Sequence, residues 1–329
     1  MPAPRLPHRS TEAWECGFLF ESAREVRCVS SRGGLVVAGG AELHLLRPAE
    51  QRMASRSPPL DLGVIHAAAA EPRAPWRYAV ASADMVAVFF RTPEGDQILR
   101  LRCAPPGPAA THLAWGHDEA GASALYIRWE DGAVVRMKQD MTGVDTTDLP
   151  PMDAIAADNA GVLAMLSLAG PTPLAYVTRD GENLEYRSVA LGTAPLPPGP
   201  RHAYLAVADT AVAVALDHGG VYLSRVPDAE FVLCEPLALA GPIDFDGTRS
   251  DAGLFGAAHF AAYTSIVHVA ADGEAVRIAD FGTENGPAPR ITGLGWDASR
   301  DMLWGASPQM GLVTCTAPGA RRGKKALVS

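Results

Sequence analysis

Three aspartates in the last third of the chain, Asp244, Asp246 and Asp251, are the residues whose types and spacing best suit a metal site. They lie in the stretch PIDFDGTRSD, where Gly247 would let a loop fold around a hard cation such as calcium, which prefers oxygen ligands. An EF-hand loop that began at Asp244 would need glycine at its sixth position and glutamate at its twelfth, but Gly247 is fourth and Phe255 is twelfth when counted from Asp244. The sequence therefore predicts either a site for calcium or another divalent cation, or an aspartate-rich turn between strands.

Histidines form the second group of candidate residues. His112 and His117 flank an apolar run, and the acidic pair Asp118–Glu119 follows directly, a composition that suits a metal ligand or a general base. No histidine of another segment pairs with them, so roles in a loop or in the core are the alternative. His259 and His268 alternate with apolar residues, which is typical of packed or hydrogen-bonded strand residues.

Sequence motifs for nucleophilic catalysis and phosphate binding are missing, since neither G-x-S-x-G nor G-x-x-x-x-G-K-[ST] occurs. Five cysteines are spread along the chain without a C-x-x-C pair, which favours reduced, buried thiols over a zinc or redox motif. They are Cys16, Cys28, Cys103, Cys234 and Cys315. We therefore expect no catalytic residue, and no cofactor unless the aspartates hold a cation.

Charge restricts the class of partner. The formal net charge is -9 at pH 7, and such an acidic body repels a phosphate backbone, which argues against a nucleic-acid binder. The N-terminal stretch lacks the apolar core of a signal peptide and no apolar run is long enough to span a bilayer, so we expect a cytoplasmic protein. A basic C-terminal tail would dock on an acidic partner surface, would give weak nucleic-acid contact, or would simply be a solvated end. Its charged residues are Arg321, Arg322, Lys324 and Lys325.

The elements that would position these residues repeat along the chain. At 329 residues, the chain exceeds the size at which one hydrophobic core stops growing, unless it is built from small units that pack only on their neighbours. Short apolar runs that follow a Gly- or Pro-containing loop recur about 38 to 49 residues apart, close to the spacing of propeller blades. Seven such units start near Val26, Val64, Ala109, Met152, Arg201, Pro242 and Ile291.

The best-defined units contain four short β-rich runs. In the unit that starts near Arg201 these are HAYLAVAD, TAVAVALD, VYLSRV and FVLCEPLA, separated by turns that contain glycine, proline or aspartate. Asp180–Gly181 and Asp272–Gly273 predict tight hairpins between the third and fourth runs of two other units, because glycine accepts a positive φ. No stretch has a helical period, so we predict an all-β chain, with a β-sandwich or two separate all-β domains as the alternative to a repeat.

The last unit, from Ile291 to Pro318, contains only three β-rich runs. A three-stranded end would leave a bare sheet edge, so we predict that Trp14 to Phe20 supplies the outermost strand of this unit. A mere capping extension is the alternative. The predicted organisation is a disordered tail over 1–12, a repeat body over 13–318 with a closing strand over 13–22, and a basic tail over 319–329.

The spacing resembles that of the β-propeller superfamily from about Ala13 to Pro318. The architecture is WD40-like but lacks WD40 motifs, because Gly116–His117 and Trp296–Asp297 fall in different units. The chain looks like a divergent bacterial seven-bladed propeller, which implies four-stranded antiparallel blades, the last of them closed by the N-terminal strand. It also resembles stand-alone propellers encoded with AAA+ ATPases and von Willebrand A domains in bacterial multi-component systems, which implies a protein partner in an ATPase-containing complex.

Three functions are compatible with this fold. The shortage of catalytic motifs favours a non-enzymatic interaction scaffold that does not bind a membrane and whose acidic body does not favour nucleic acid. The alternative is a metal-dependent hydrolase or lyase resembling propeller lactonases, with acidic residues such as Asp244 or Asp246 at a channel mouth. A third hypothesis, a propeller that binds a small molecule or a glycan, requires exposed aromatic residues.

Overall fold

Every regular element that the structure describes is a β-strand. The structure is a computed structural model, and 28 strands of its described residues form seven four-stranded antiparallel sheets. No helix in this part of the chain has the length and apolar character needed to cross a membrane. The described residues are 15–18, 28–30, 35–39, 42–46, 54–56, 63–71, 77–92, 95–102, 108–137, 144–147, 149–158, 160–168, 174–178, 185–188, 203–208, 211–216, 220–224, 231–235, 240–245, 258–262, 265–269, 275–280, 291–297, 302–307, 309 and 311–316.

The sheets are numbered I to VII in chain order, and strand β1 (Glu15–Phe18) belongs to the last of them. Sheet I contains β2 (Cys28–Ser30), β3 (Leu35–Gly39), β4 (Glu42–Leu46) and β5 (Ala54–Arg56). Sheet II contains β6 (Ile65–Ala70), β7 (Tyr78–Ser82), β8 (Met85–Thr92) and β9 (Gly95–Arg102). Sheet III contains β10 (Ala110–His117), β11 (Ser123–Trp129), β12 (Val134–Met137) and β13 (Val144–Thr146).

The second half of the chain continues the same scheme. Sheet IV contains β14 (Ala154–Ala157), β15 (Leu163–Ser167), β16 (Leu174–Thr178) and β17 (Glu185–Ser188). Sheet V contains β18 (Ala203–Ala208), β19 (Ala211–Leu216), β20 (Gly220–Ser224) and β21 (Phe231–Glu235). Sheet VI contains β22 (Ala240–Phe245), β23 (Ala258–Ala262), β24 (Ser265–Val269) and β25 (Ala275–Asp280). Sheet VII contains β26 (Gly293–Asp297), β27 (Met302–Ser307), β28 (Gly311–Thr316) and β1.

Sheet VII combines strands from the two ends of the chain. Its order is β26, β27, β28 and then β1, which lies antiparallel to β28. Glu15 is opposite Thr316 and Phe18 is opposite Val313. Strand β1 therefore covers the edge of β28, and it lies within the segment for which the sequence predicts a closing strand.

The first strands of the sheets connect one sheet to the next. Strand β2 contacts β6, and the contacts continue in chain order through β10, β14, β18, β22 and β26. Strand β26 in turn contacts β2. These seven strands begin within two residues of the predicted unit starts. The tails predicted over 1–12 and 319–329 lie outside the described residues.

Packing on both faces explains the composition of the second strands. Every residue of β7, β15 and β19 is buried, because a sheet with neighbours on both sides has no solvent-facing side. Such strands are nearly continuous apolar runs, as in the AVAVAL of β19. One hydrophobic cluster joins Leu166 of sheet IV to Val207 and Val214 of sheet V. The core thus lies between sheets, near their first and second strands.

Candidate functional site

An acidic residue stands at the end of the first strand in six of the seven sheets. In sheet VII it is the last residue of the strand, and in the other five it directly follows the strand. These residues are Glu71, Asp118, Asp158, Asp209, Asp246 and Asp297. If the protein had a metal or acid–base site at this end of the first strands, these residues would supply its carboxylates. Carboxylates that already bind other groups of the protein are not available for such a site, so their contacts must be compared.

Asp118 and Asp158 each accept hydrogen bonds within a turn, and the two turns have the same hydrogen-bond pattern. The Oδ1 atom of Asp118 accepts hydrogen bonds from the backbone N–H groups of Ala120 and Ala122, at 3.0 and 2.8 Å. The Oδ1 atom of Asp158 accepts from the corresponding N–H groups two and four residues later, at 2.8 and 2.9 Å. Both aspartates are almost fully buried. These carboxylates stabilise the hairpin between first and second strands, as expected for an Asx turn.

Glu71 of sheet II pairs with Arg77, which contacts sheet III. Its buried carboxylate lies 3.1 Å from Nη1 of Arg77, an ion pair without the alignment of a hydrogen bond. The Arg77 guanidinium in turn lies over the ring of Trp115, 5.8 Å from its centroid, within the range of a cation–π interaction. The indole N–H of Trp115 donates to the carbonyl of Ala69, at 3.2 Å. Glu71 is therefore part of the contact between two sheets.

Asp244 is the predicted metal ligand whose backbone the structure describes. It is opposite His259 of β23, which is opposite His268 of β24, so the three residues form a row across three adjacent strands. At ~4.8 Å per strand, the backbones of the first and last members are about 10 Å apart. Asp246 and Asp251 lie outside the described residues. Within the described part, no group of three His, Cys, Asp or Glu residues could hold a metal ion, and the metal site stays a prediction.

His112 and His117 are held at opposite ends of β10. His112 is opposite Arg128 and His117 is opposite Ser123, so the two histidines are about 17 Å apart along the strand. Glu119 forms an ion pair with Arg136. The structure therefore does not bring the two histidines together, and they cannot bind one metal ion.

Bulges in the first strands create a polar cluster near the start of β10. The register shifts around His66 in β6 and around Thr111 in β10, and such shifts change the direction of a side chain. His66 donates from Nε2 to the carbonyl of Ala110, which joins sheet II to sheet III. The Thr111 hydroxyl accepts from Nη1 of Arg128, at 2.6 Å. Sequence analysis missed this cluster, because a bulge leaves no clear mark in the apolar pattern.

Arg128 connects this polar cluster to sheet IV. Its Nε donates to the carbonyl of Met152, at 2.7 Å. Burial lowers the pKa of Arg128, and the nearby carboxylate of Asp153 opposes that shift. The Asp153 carboxylate itself accepts from the backbone N–H of Leu168, at 2.6 Å. The half-buried Arg128 guanidinium thus donates to one oxygen atom in each of sheets III and IV and stabilises the contact between them.

Tyr126 of β11 is a polar side chain near the His117 end of β10. Burial raises the pKa of Tyr126, and the neighbouring Arg136 guanidinium opposes that shift. The phenolic O–H of Tyr126 donates to the carbonyl of His117, at 2.8 Å. The backbone N–H of His117 donates to the carbonyl of Gly161 in sheet IV, at 3.1 Å. The polar groups at this end of β10 thus fix backbone positions between two sheets. The basic residues Arg321, Arg322, Lys324 and Lys325 lie outside the described residues.

Together, the all-strand sheets and the contacts between their first strands define a propeller-like all-β protein. The N-terminal β-propeller domain of BBS1, in a crystal structure of its complex with ARL6, matches with a TM-score of 0.58 at 16% sequence identity. The match covers 93% of this chain and 97% of that chain. No protein-family model and no curated protein matches the chain. At this low identity, the likeness shows the fold alone.

Proposed function

We propose that the chain is a closed seven-bladed β-propeller that acts as a non-enzymatic interaction scaffold, as a subunit of a bacterial multi-protein complex in the cytoplasm. The observation that carries the closed ring is the cycle of contacts between first strands, which returns from β26 to β2. The pairing of β1 with β28 supports it as well, because it joins the two chain ends within one sheet. A ring of this kind offers two wide faces built from hairpin turns.

Two observations support the scaffold role. The described carboxylates at the first-strand ends are already engaged: those of Asp118 and Asp158 accept hydrogen bonds within their own turns, and that of Glu71 pairs with Arg77 of the same sheet. Their groups stabilise the fold, which favours binding by surface shape over catalysis by these residues. In addition, the propeller domain of BBS1 was crystallised with a protein partner, ARL6. That supports a protein partner in general, whereas the ATPase-containing complex rests on the sequence resemblance alone.

The two faces can be tested separately, because hairpins between first and second strands lie at the opposite end of a sheet from hairpins between second and third strands. Ala120 and Ala160 are exposed on turns of the first kind, and Asp84 and Glu130 are exposed on turns of the second kind. One double variant, Ala120→Arg with Ala160→Arg, changes the first face, and the other, Asp84→Arg with Glu130→Arg, changes the second face. We expect the double variant on the face that binds the partner to weaken binding at least tenfold. The double variant on the other face should leave binding unchanged. Surface changes of this type alter stability little.

The measurement is purification of the tagged protein from its native host, followed by reconstitution with the purified partner and titration of both variant pairs. Equal melting temperatures of the variants show that the fold is intact. A protein that recovers no stoichiometric partner, or whose partner tolerates both pairs, would contradict a scaffold that binds through its faces.

The second candidate function is a metal-dependent hydrolase or lyase of the propeller-lactonase type, favoured by the register of Asp244 opposite His259. A mixed oxygen and nitrogen donor set suits zinc, whereas calcium would be bound by carboxylate oxygens without the histidine. This function predicts about one bound metal per chain by elemental analysis, and a melting temperature that falls with EDTA and recovers with the metal. Asp244→Asn should abolish both effects, and Asp84→Asn should retain them. A metal-free protein with no EDTA response would exclude this candidate.

A further inference from the structure

Two cysteines from opposite ends of the chain meet in sheet VII. Cys16 of β1 and Cys315 of β28 are Cα partners in the antiparallel pairing. Glu15 opposite Thr316 and Gly17 opposite Thr314 flank them, so the register is continuous on both sides. We propose that Cys16 and Cys315 form a reversible disulfide that locks β1 onto β28.

Backbone geometry permits this bond. Opposed residues of an antiparallel pair lie on the same face of the sheet, with Cα atoms about 4.5 or 5.5 Å apart. Their Cβ atoms lie about 4.5 to 5.5 Å apart. A disulfide needs Cα atoms about 4.4 to 6.8 Å apart and Cβ atoms about 3.5 to 4.5 Å apart. The bond therefore requires at most a local adjustment of about 1 Å at the two Cβ atoms.

Among the strand pairings that the structure describes, this is the one in which two cysteines are opposite each other. Cys28 of β2 is opposite Ala38. Cys234 lies in β21, whose neighbour β20 has the sequence GVYLS without cysteine. The register therefore favours a disulfide between Cys16 and Cys315 over the other pairs of cysteines.

The Cys315 side chain is fully buried and packs with Leu303 and Val313, so a reagent in solution does not reach it directly. In the proposed exchange, Cys16 reacts first. Its thiolate attacks a low-molecular-weight disulfide such as oxidised glutathione, which gives a mixed disulfide and releases one glutathione thiol. The Cys315 thiolate then attacks the Cys16 sulfur and releases the second. Two protein thiols become one disulfide, and the two electrons and two protons pass to the two glutathione molecules.

The bond would stabilise sheet VII, which contains strands from both ends of the chain. Under reducing conditions, β1 is held by its strand pairing and packing, whereas an oxidising pool of small disulfides fixes it covalently. A crosslink between residues 16 and 315 closes a loop of nearly the whole chain, and long loops restrict the unfolded chain most in the entropic account. The inference rests on the register of β1 and β28 and not on the scaffold role, so either can fail alone.

The test compares full-length protein treated with oxidised glutathione and with dithiothreitol. We expect the oxidised protein to lose the mass of two hydrogens, to give one crosslinked peptide pair that contains Cys16 and Cys315, and to melt roughly 5 °C higher, reversibly. Cys16→Ser should remove the crosslink and the shift, while its reduced form melts close to the reduced wild type. Cys28→Ser is the matched control and should retain both effects.

The peptide map of the wild-type protein decides the pairing even if a variant folds poorly. A glutathione adduct without a crosslink would overturn the proposal, and so would a crosslink to Cys28, Cys103 or Cys234. An oxidative shift that persists in Cys16→Ser would also overturn it, because the stabilisation would then arise elsewhere.

Discussion

A chain that lacks residues 1–22 is expected to melt about 10 °C below the full-length protein, a loss of about 5 kcal/mol from a typical total of 5 to 15. The deletion removes β1, so the backbone groups of β28 that face β1 lose their partners. Strand β28 carries Leu312 and Val313, both fully buried, and it becomes an edge strand that can pair with other chains. We therefore expect aggregation on heating as well as lower stability, measured by differential scanning calorimetry and light scattering.

The matched control removes residues 319–329 instead, and it should melt within about 2 °C of the full-length protein, since changes away from the core usually have small effects. A synthetic peptide of residues 11–22 adds a second control, because it can bind the open edge of β28 in trans and restore part of the lost stability. If the N-terminal deletion melts like the C-terminal one, β1 does not hold the sheets together and the closed ring is wrong.

The repeat could be predicted from the sequence because its signals are local. Short apolar runs and Gly, Pro or Asp turns mark each strand and hairpin within a few residues, as in the AVAVAL run of β19. The propeller-like, all-β character of the chain follows from these signals and from the absence of a helical period. The number of blades and the closure of the ring remain proposals.

The contacts of the candidate residues could not be predicted in the same way. A residue type does not show whether a carboxylate already accepts hydrogen bonds from its own turn, as those of Asp118 and Asp158 do. The signal that could have shown it is D-x-x-G directly after a first strand, which occurs at 118–121 and 158–161. A glycine three residues after the aspartate indicates a turn with a positive φ, and a turn of this kind uses the carboxylate as its cap.

Register is the second kind of information that the sequence lacks. A bulge between Ala240 and Ile243 shifts β22 by one residue against β23. Without it, Asp244 would be opposite Ala258, and with it Asp244 is opposite His259. The pairing of Cys16 with Cys315 is equally hidden, because it depends on which distant strands become neighbours. Sequence analysis treats these cysteines as scattered thiols, and only the strand order places them together.

Gly161 is a position at which one added methyl group should destabilise the contact between sheets III and IV. Its φ is +86°, and a Cβ atom there would lie 2.3 Å from Nε2 of His117. The His117 backbone is held, because its N–H donates to the Gly161 carbonyl and its carbonyl accepts from Tyr126, so the ring itself must rotate away from the added methyl group. We expect Gly161→Ala to lower the free energy of unfolding by about 2 kcal/mol, of which about 1 comes from the left-handed backbone and about 1 from displacing the His117 ring.

Gly121 supplies the matched control for this change. It occupies the same place in the preceding turn with a φ of +73°, but a Cβ atom there would have no neighbour within 4 Å. Gly121→Ala should therefore cost only the backbone part, about 1 kcal/mol. In the double variant Gly161→Ala with His117→Ala, the collision is absent, so the two changes should cost about 1 kcal/mol less together than the sum of the single variants. Urea unfolding of the four variants measures these differences. Equal costs for the two glycine changes, or additive costs in the double variant, would mean that His117 does not pack against Gly161 and that sheets III and IV meet differently.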